Sequence, residues 1–369
     1  MHMNIKSIIF LFTSLFSTFS YAYAQNLENI RFIDAKELML LGKGFENTES
    51  YYTRLPLDQK NEIRPEVWDL GRNSAGMAVR FYSNTTTVAV KWKILNNFHM
   101  NHMPDTGVKG VDLYSLEGNG QWYYMGTGKP VGVENKAILS DCMERKGREY
   151  ILYLPLYDGI VDLEIGVDST AELSLPRNNR LVKCNDGKAI IVYGTSITQG
   201  GCASRPGMAY TSILGRMLDR EVINLGFSGN ARLDNSLAKA ICRINSNTVV
   251  LDCLPNTTAQ MLKDSAYKFL RIILDAKPGI RLYMVENPLF PALRFNNKIM
   301  TELSEENWIW RSIYLRLRRE GFNNVNYIKG AELVGEDNEG TVDGVHMSDL
   351  GFYRYANILS KYLSSSKHF

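Results

Sequence analysis

Hydrophobic and polar positions follow two different rhythms along this chain. Over residues 26–183 the pattern favours strands. "TVAVKWKI" (87–94) alternates, placing Val88, Val90, Trp92 and Ile94 on one face, the period of a half-buried strand. "GVDLYSLEGNGQWYYMG" (110–126) reads as two short strands joined through Gly118-Asn119-Gly120, a hairpin signal. "YILYLPLYDGIVDLEIGV" (150–167) adds two more around Asp158-Gly159. No amphipathic helix longer than two turns interrupts this half, which predicts an antiparallel β-sandwich.

From about residue 187 the rhythm changes. Apolar runs of strand length recur as "AIIVYG" (189–194), "EVINLG" (221–226), "TVVLDC" (248–253), "RLYMVEN" (281–287) and "VNYIKG" (325–330). Helix-length segments lie between them, including 259–276 and 301–320, the latter with an expected core stripe of Trp308, Ile309, Ile313 and Leu317. Strands that are apolar on both faces and alternate with helices predict a parallel sheet covered on both sides. Such sheets bind ligands beyond the carboxyl ends of their strands. Every candidate site residue can therefore be tested by its position: it should follow a strand.

The chain has 369 residues, 45% hydrophobic and 22% charged, with a formal net charge of +3. That length suits two domains, and the charge is too small and too dispersed for a nucleic-acid partner. The first residues carry a separate signal. After Lys6, "SIIFLFTSLFSTFSYAYA" ends in Ala22-Tyr23-Ala24, followed by Gln25, the form of a secretory leader with an A-x-A cleavage site. No cysteine stands at that point, so no lipid anchor is expected. The expected organisation is a signal peptide over 1–24, a sandwich domain over 25–183 and a second domain over 184–369, secreted or periplasmic, without membrane insertion. Five cysteines (142, 184, 202, 242, 253) are sparse, odd in number and free of C-x-x-C spacing, so neither a disulfide framework nor a zinc ribbon is indicated. Buried free thiols are expected for Cys242 and Cys253.

Chemistry concentrates after the strands of the second half. "YGTSITQGG" (193–201) places Ser196 two residues past the first of them. A phosphate loop needs G-x-x-x-x-G-K-[ST], but Gly194 and Gly200 are one residue too far apart and no lysine follows. A G-x-S-x-G elbow fails because position 198 is Thr. A nucleophilic serine in another strand-to-helix turn remains, and it needs a base, an orienter and oxyanion donors. His346, in "GTVDGVHMSDLGFYRYA" (340–356), follows the last strand, and Asp343 precedes it by three residues, close enough to hold the imidazole nitrogen facing away from the serine. "NLGFSGNARL" (224–233) and "LDCLPNTTAQ" (251–260) offer Gly229 and Asn256 as oxyanion donors, with the Ser196 N–H as a third. One such donor is typically worth about 10²–10³ in rate.

Four polar clusters, each after a separate strand, form an ordered set, and the set resembles a known family. Gly194-Thr195-Ser196-Ile197-Thr198, Ser228-Gly229-Asn230, Pro255-Asn256 and Asp343-Gly344-Val345-His346 look like the four blocks of the GDSL, or SGNH, hydrolases. Thr195 replaces the common Asp of that family, and Pro255-Asn256-Thr257 its usual Gly-x-Asn-Asp. "GGCASRPGMAY" (200–210) and "GVDLY" (110–114) resemble a bacterial branch that carries a β-sandwich before the hydrolase domain. The resemblance implies a three-layer, flavodoxin-like domain behind a jelly-roll or sandwich domain. It implies a cofactor-independent serine esterase with Ser196, Asp343 and His346 as the triad and Ser196, Gly229 and Asn256 as the oxyanion hole. For exported members it implies acyl groups, often acetyl, on carbohydrate. An acyltransferase would need the same triad, and a non-catalytic glycan-binding protein would not.

Other residues have looser signals. His99 and His102, in "NNFHMNHMPDTG", have metal-ligand spacing, but no cysteine or third histidine lies near them in sequence, so no metal is expected. That loop is expected instead to reach over the active site, with His102 touching substrate or simply exposed. Arg205 is expected either to hold a substrate group or to make a structural salt bridge. Glu286 is expected to meet ligand or to order a neighbouring loop. The aromatic run "WYYMG" (122–126) is expected to be claimed by the sandwich core rather than by a sugar.

Overall fold

The structure, a computed structural model, describes residues 29–183 and 186–364. The expected leader (1–24) and Cys184 lie outside the described residues. Among those described, no helix is long and apolar enough to cross a membrane.

Ten strands build the first half: β1 (Ile30–Asp34), β2 (Met39–Leu41), β3 (Ala78–Ser83), β4 (Val88–Ile94), β5 (Val111–Leu116), β6 (Trp122–Gly128), β7 (Glu134–Ser140), β8 (Arg148–Tyr153), β9 (Ile160–Asp168) and β10 (Leu173–Ser174). They form two antiparallel sheets, one ordered β1-β9-β4-β7 and the other β10-β3-β8-β5-β6, with β2 on β3. Val79 and Phe81 of β3, Val90 and Trp92 of β4, and Leu152 and Ile165 of β8 and β9 meet in one core between the sheets. The alternating run 87–94 is β4, and the hairpin over 110–126 is β5 paired with β6. The two strands around Asp158-Gly159 do not pair with each other. β8 sits between β3 and β5, while β9 crosses to the other sheet between β1 and β4. Alternation marks a strand but carries no information on which sheet it joins, because both inner faces are equally apolar. Two short helices, α1 (Pro65–Gly71) and α2 (Asp105–Val108), lie in the connections.

The second half is a five-stranded parallel sheet: β11 (Ile190–Gly194), β12 (Val222–Gly226), β13 (Thr248–Asp252), β14 (Arg281–Val285) and β15 (Val325–Ile328), in the order β12-β11-β13-β14-β15. All five were legible as apolar runs. Alternation within β11 serves two cores at once, with Ile191 and Tyr193 on one face and Ile190 and Val192 on the other. The first face packs α5 (Asn235–Arg243), α6 (Tyr267–Ala276) and α7 (Asn297–Arg319) through Leu237, Phe269 and Trp310. The second packs α4 (Tyr210–Leu218) and α8 (Asp349–Ser364) through Leu214, Phe352 and Leu359. A one-turn helix, α3 (Ser196–Gln199), precedes them directly after β11. The stripe expected on α7 is corrected at one place. Ile309 and Leu317 are buried and Ile313 packs against the core, but Trp308 is 69% exposed and Trp310 takes the interior position.

The two halves share a core. Ala75, Met103, Val108, Leu156 and Tyr157 from the first pack with Ile197, Ala203, Tyr210 and Ile213 from the second. The buried Arg54 guanidinium donates to the carbonyls of Asn224 (3.2 Å) and Gly226 (2.8 Å), fastening the end of β12 to the sandwich. The expected core claim on "WYYMG" fails in part. Tyr123 and Tyr124 of β6 are about half exposed (47% and 48%), because β6 is the outer strand of its sheet.

Candidate active site

In the parallel sheet the strand order reverses at β11, whose neighbours β12 and β13 lead away in opposite directions. This is the topological switch point at which such sheets place ligands. Registers make the three strand ends level, with Gly194 beside Gly226 on one side and Asp252 on the other. Ser196, Gly229 and Asn256 follow those ends by two, three and four residues.

Ser196 opens α3. Thr195 is the cap, extended, with its Oγ1 accepting from the Ile197 N–H at 3.2 Å, so the departure from the family's Asp keeps the capping acceptor. A side chain at Gly194 would collide with Thr198 Oγ1 and with the Asp252 carbonyl, so the tight strand-to-helix turn requires glycine there. Thr198, which spoils the elbow motif, has its own work. Its hydroxyl donates to Asp252 Oδ2 at 3.0 Å, and Asp252 also accepts from Tyr210 (2.7 Å) and Tyr355 (2.6 Å). Burial pushes this carboxyl up to about 6, against the pull of three hydroxyl donors. The network ties α3, α4 and α8 to the end of β13 and holds the serine turn in place.

His346 Nε2 lies 2.8 Å from Ser196 Oγ, and its Nδ1 lies 2.7 Å from Asp343 Oδ2. The other carboxylate oxygen of Asp343 accepts from the backbone N–H groups of Val345 (3.0 Å) and His346 (2.7 Å). Partial burial works against ionisation of Asp343, but the bonds from the His346 ring and from those two backbone groups prevail and hold its carboxyl at about 2. A carboxylate fixed in this way keeps the imidazole in one orientation and one tautomer, with its lone pair directed at the hydroxyl. Ser196 is buried, at 7% exposure, while His346 and Asp343 are partly open to solvent.

The oxyanion candidates stand on linked loops. Gly229 has φ of +67°, a left-handed conformation that favours glycine, and nothing lies within 4 Å of where a side chain would start. Asn256 Oδ1 accepts from the Ala231 N–H at 3.3 Å, which joins its turn to the Gly229 loop and leaves its Nδ2 to donate. Gln199 was missed in the sequence. Its buried amide donates to the Leu156 carbonyl (3.0 Å) and accepts from the Ser228 N–H (3.0 Å), so it positions the Gly229 loop from α3 while anchoring to the sandwich. A glutamine one turn after the serine has no local signal; only the fold places partners on both sides of it.

Of the looser candidates, one arrives. The ring of His102 lies 5.5 Å from that of His346, and its Nδ1 is held by Asn101 Oδ1 at 2.9 Å. His99 does not join it, being held by Asp105 (3.1 Å) and Lys109 (3.1 Å). Arg205 goes to the structural alternative. Its guanidinium pairs with buried Asp112 at 2.5 Å, bonds the Tyr114 hydroxyl and lies over the Tyr124 ring. Asp112 also accepts from the Gly207 N–H at 2.8 Å, so the "GVDLY" segment of β5 grips the loop that follows the serine helix. Glu286 likewise orders its surroundings, accepting from the Tyr327 hydroxyl (2.7 Å) and the Gly330 N–H (3.0 Å) across the ends of β14 and β15. Both side chains are engaged by neighbours in this structure.

Among the four described cysteines there is no disulfide; Cys202 and Cys253 are buried and Cys142 is exposed, while Cys242, expected to be buried, is half-buried.

Comparison with known proteins bears on the family and the fold. Residues 187–364 match the sequence model of the GDSL-like lipase/acylhydrolase family, and residues 30–173 match that of GxDLY, the N-terminus of SGNH-hydrolase-type esterases. A crystal structure described as a GDSL-like lipase from Bacteroides ovatus is 34% identical, with a TM-score of 0.84 over 90% of this chain and 96% of that one. A salicylyl-acyltransferase from a tetracycline biosynthetic pathway, 15% identical, shares the fold with a TM-score of 0.72 over 90% and 96%. A family two carbohydrate esterase from Cellvibrio japonicus, 12% identical, does so at 0.57 over 90% and 97%. No curated protein sequence matches the chain. On the match to both sequence models and the likeness to the Bacteroides structure over 90% of its length, the chain belongs to the GDSL-like lipase/acylhydrolase family.

Proposed function

We propose that this chain is an exported serine esterase that removes acetyl or other short acyl groups from carbohydrate through an acyl-enzyme on Ser196. The observation that carries the reading is the continuous Asp343–His346–Ser196 relay, with separations of 2.7 and 2.8 Å. His346 takes the Ser196 proton as Oγ attacks the ester carbonyl. The tetrahedral oxyanion is met by the N–H groups of Ser196 and Gly229 and by Asn256 Nδ2. Collapse expels the sugar alkoxide, which His346 protonates. Water then attacks the acyl-enzyme by the reverse route and frees the carboxylic acid. Every step uses side chains and backbone of this chain, and no cofactor enters.

Two features support the carbohydrate reading: the leader-like segment at 1–24, which points to an exported polymer or glycan as substrate, and the folds shared with carbohydrate esterases. The same proposal divides the chain into leader, sandwich and hydrolase domain at residues 24 and 183. Transfer of the acyl group to an alcohol instead of water is the second reading, supported by the shared fold of the salicylyl-acyltransferase. The test is acetate release from a panel of acetylated polysaccharides. The wild-type chain is expected to release acetate, and Ser196→Ala none above background. Product carrying the acyl group on an added sugar, with no free acid, favours transfer. No acyl turnover on any donor defeats both.

A further inference from the structure

No further ligand lies near His102 in the chain, but the fold brings three to it. His102, Cys202, Asp343 and His346 come from three separate segments, and one ligand-type atom of each lies within 4.8 Å of the others. The donor set mixes imidazole nitrogens, a thiol and a carboxylate, the combination that suits Zn²⁺ and not Mg²⁺ or Ca²⁺. His102 has a free donor, since Asn101 occupies its Nδ1 and leaves Nε2. Cys202 is 5% exposed and sits in a left-handed turn (φ +71°) directly after Gly201, whose side-chain position faces the His346 ring. Tetrahedral zinc needs bonds of about 2.0–2.3 Å, so the four donor atoms, already within 4.8 Å of one another, must draw closer to share one ion.

We propose that His102, Cys202, Asp343 and His346 form an inhibitory site for Zn²⁺ that shuts off the hydrolase. The consequence for catalysis follows from His346. One of its ring nitrogens faces Ser196 and the other faces Asp343. A metal bound to either one breaks the relay, because the lone pair that accepts the serine proton, or the carboxylate that orients it, is taken. Binding replaces the thiol proton of Cys202 with the metal and releases that proton to solvent. Neither His102 nor Cys202 has a step in ester hydrolysis, so the site shares Asp343 and His346 with the triad and adds two ligands that the reaction does not use. The role rests on the reading of Ser196 and His346 given above, whereas the binding site itself does not.

Two readouts keep those apart. In the first, Co²⁺ is added to the full chain as an optical stand-in for zinc. A thiolate-to-cobalt charge-transfer band is expected for wild type and for Ser196→Ala, to be abolished in Cys202→Ala and displaced by Zn²⁺. In the second, ZnCl₂ is titrated into aryl-acetate hydrolysis and reversed with EDTA. Cys202→Ala, with metal-free turnover close to wild type, is expected to raise the inhibition constant at least about tenfold, the least that loss of a metal-supporting group costs. His102→Ala is expected to raise it similarly and serves if the cysteine variant misfolds. The proposal is overturned if no band forms, or if Zn²⁺ inhibits the variants as strongly as it does wild type. A band without any esterase activity would fault the functional reading and leave the site standing.

Discussion

Ser196→Ala is expected to lower aryl-acetate turnover by about 10⁴–10⁶-fold, the range seen when a serine nucleophile is removed from a complete relay. The loss is large because no other group in the site can substitute. The hydroxyl lies 2.8 Å from the base, on a helix start held by Thr195, Thr198 and Asp252. The variant keeps the proposed oxyanion donors, so a residual rate above that of water alone should persist. Folding should be almost untouched, since the change removes one oxygen from a side chain that accepts no backbone bond. Circular dichroism and the thermal midpoint check that. Turnover within tenfold of wild type would place the nucleophile elsewhere.

Asp343→Asn is expected to reduce kcat by about 10⁴ with little change in KM, and the reason lies in its two oxygens. Oδ1 already accepts from the backbone N–H groups of Val345 and His346, which cannot donate to an amide nitrogen. In the variant the remaining oxygen must stay with them, so the NH₂ group faces His346 Nδ1. That nitrogen must then be the acceptor, the proton moves to Nε2, and the imidazole presents an N–H to the serine when it should present a lone pair. The pH profile carries a second check. Asp343 is held at about 2, so it remains ionised across the range in which histidines titrate, and the acid limb of wild-type kcat should not report this carboxylate. A decrease of tenfold or less in Asp343→Asn would mean that the carboxylate does not set the tautomer.

Much of this site was legible because of how parallel sheets are wired. Each cluster follows a strand, and the carboxyl ends of β11, β12 and β13 are level, so position after a strand was enough to bring Ser196, Gly229 and Asn256 to one rim. Asp343 and His346 are three residues apart, and their contact is almost local. The 150-residue separation between Ser196 and His346 was bridged by chemistry, since a serine nucleophile needs an imidazole and few histidines were available.

What escaped was whatever depends on contacts between the halves. The hold of Asp112 on Arg205, the paired hydrogen bonds of Gln199 and the approach of Cys202 to His102 join segments that lie far apart in the chain. No periodicity in either segment encodes such a meeting. Strand pairing in the sandwich escaped for a related reason, because β8 and β9 are neighbours in sequence yet belong to opposite sheets. On α7 the misplaced tryptophan is a matter of phase. Trp308 and Trp310 differ by two positions, about 200° around a helix, and the choice between them is made by the partner surface.

In the proposed reaction Ser196 carries the acyl group, and this is checked by treating the full chain with a serine-directed aryl phosphonate, digesting it and locating the adduct by mass spectrometry. One adduct per chain is expected, on the peptide containing Ser196, formed in step with loss of esterase activity and absent in Ser196→Ala. An adduct on another residue, or activity lost without any label on Ser196, would contradict it.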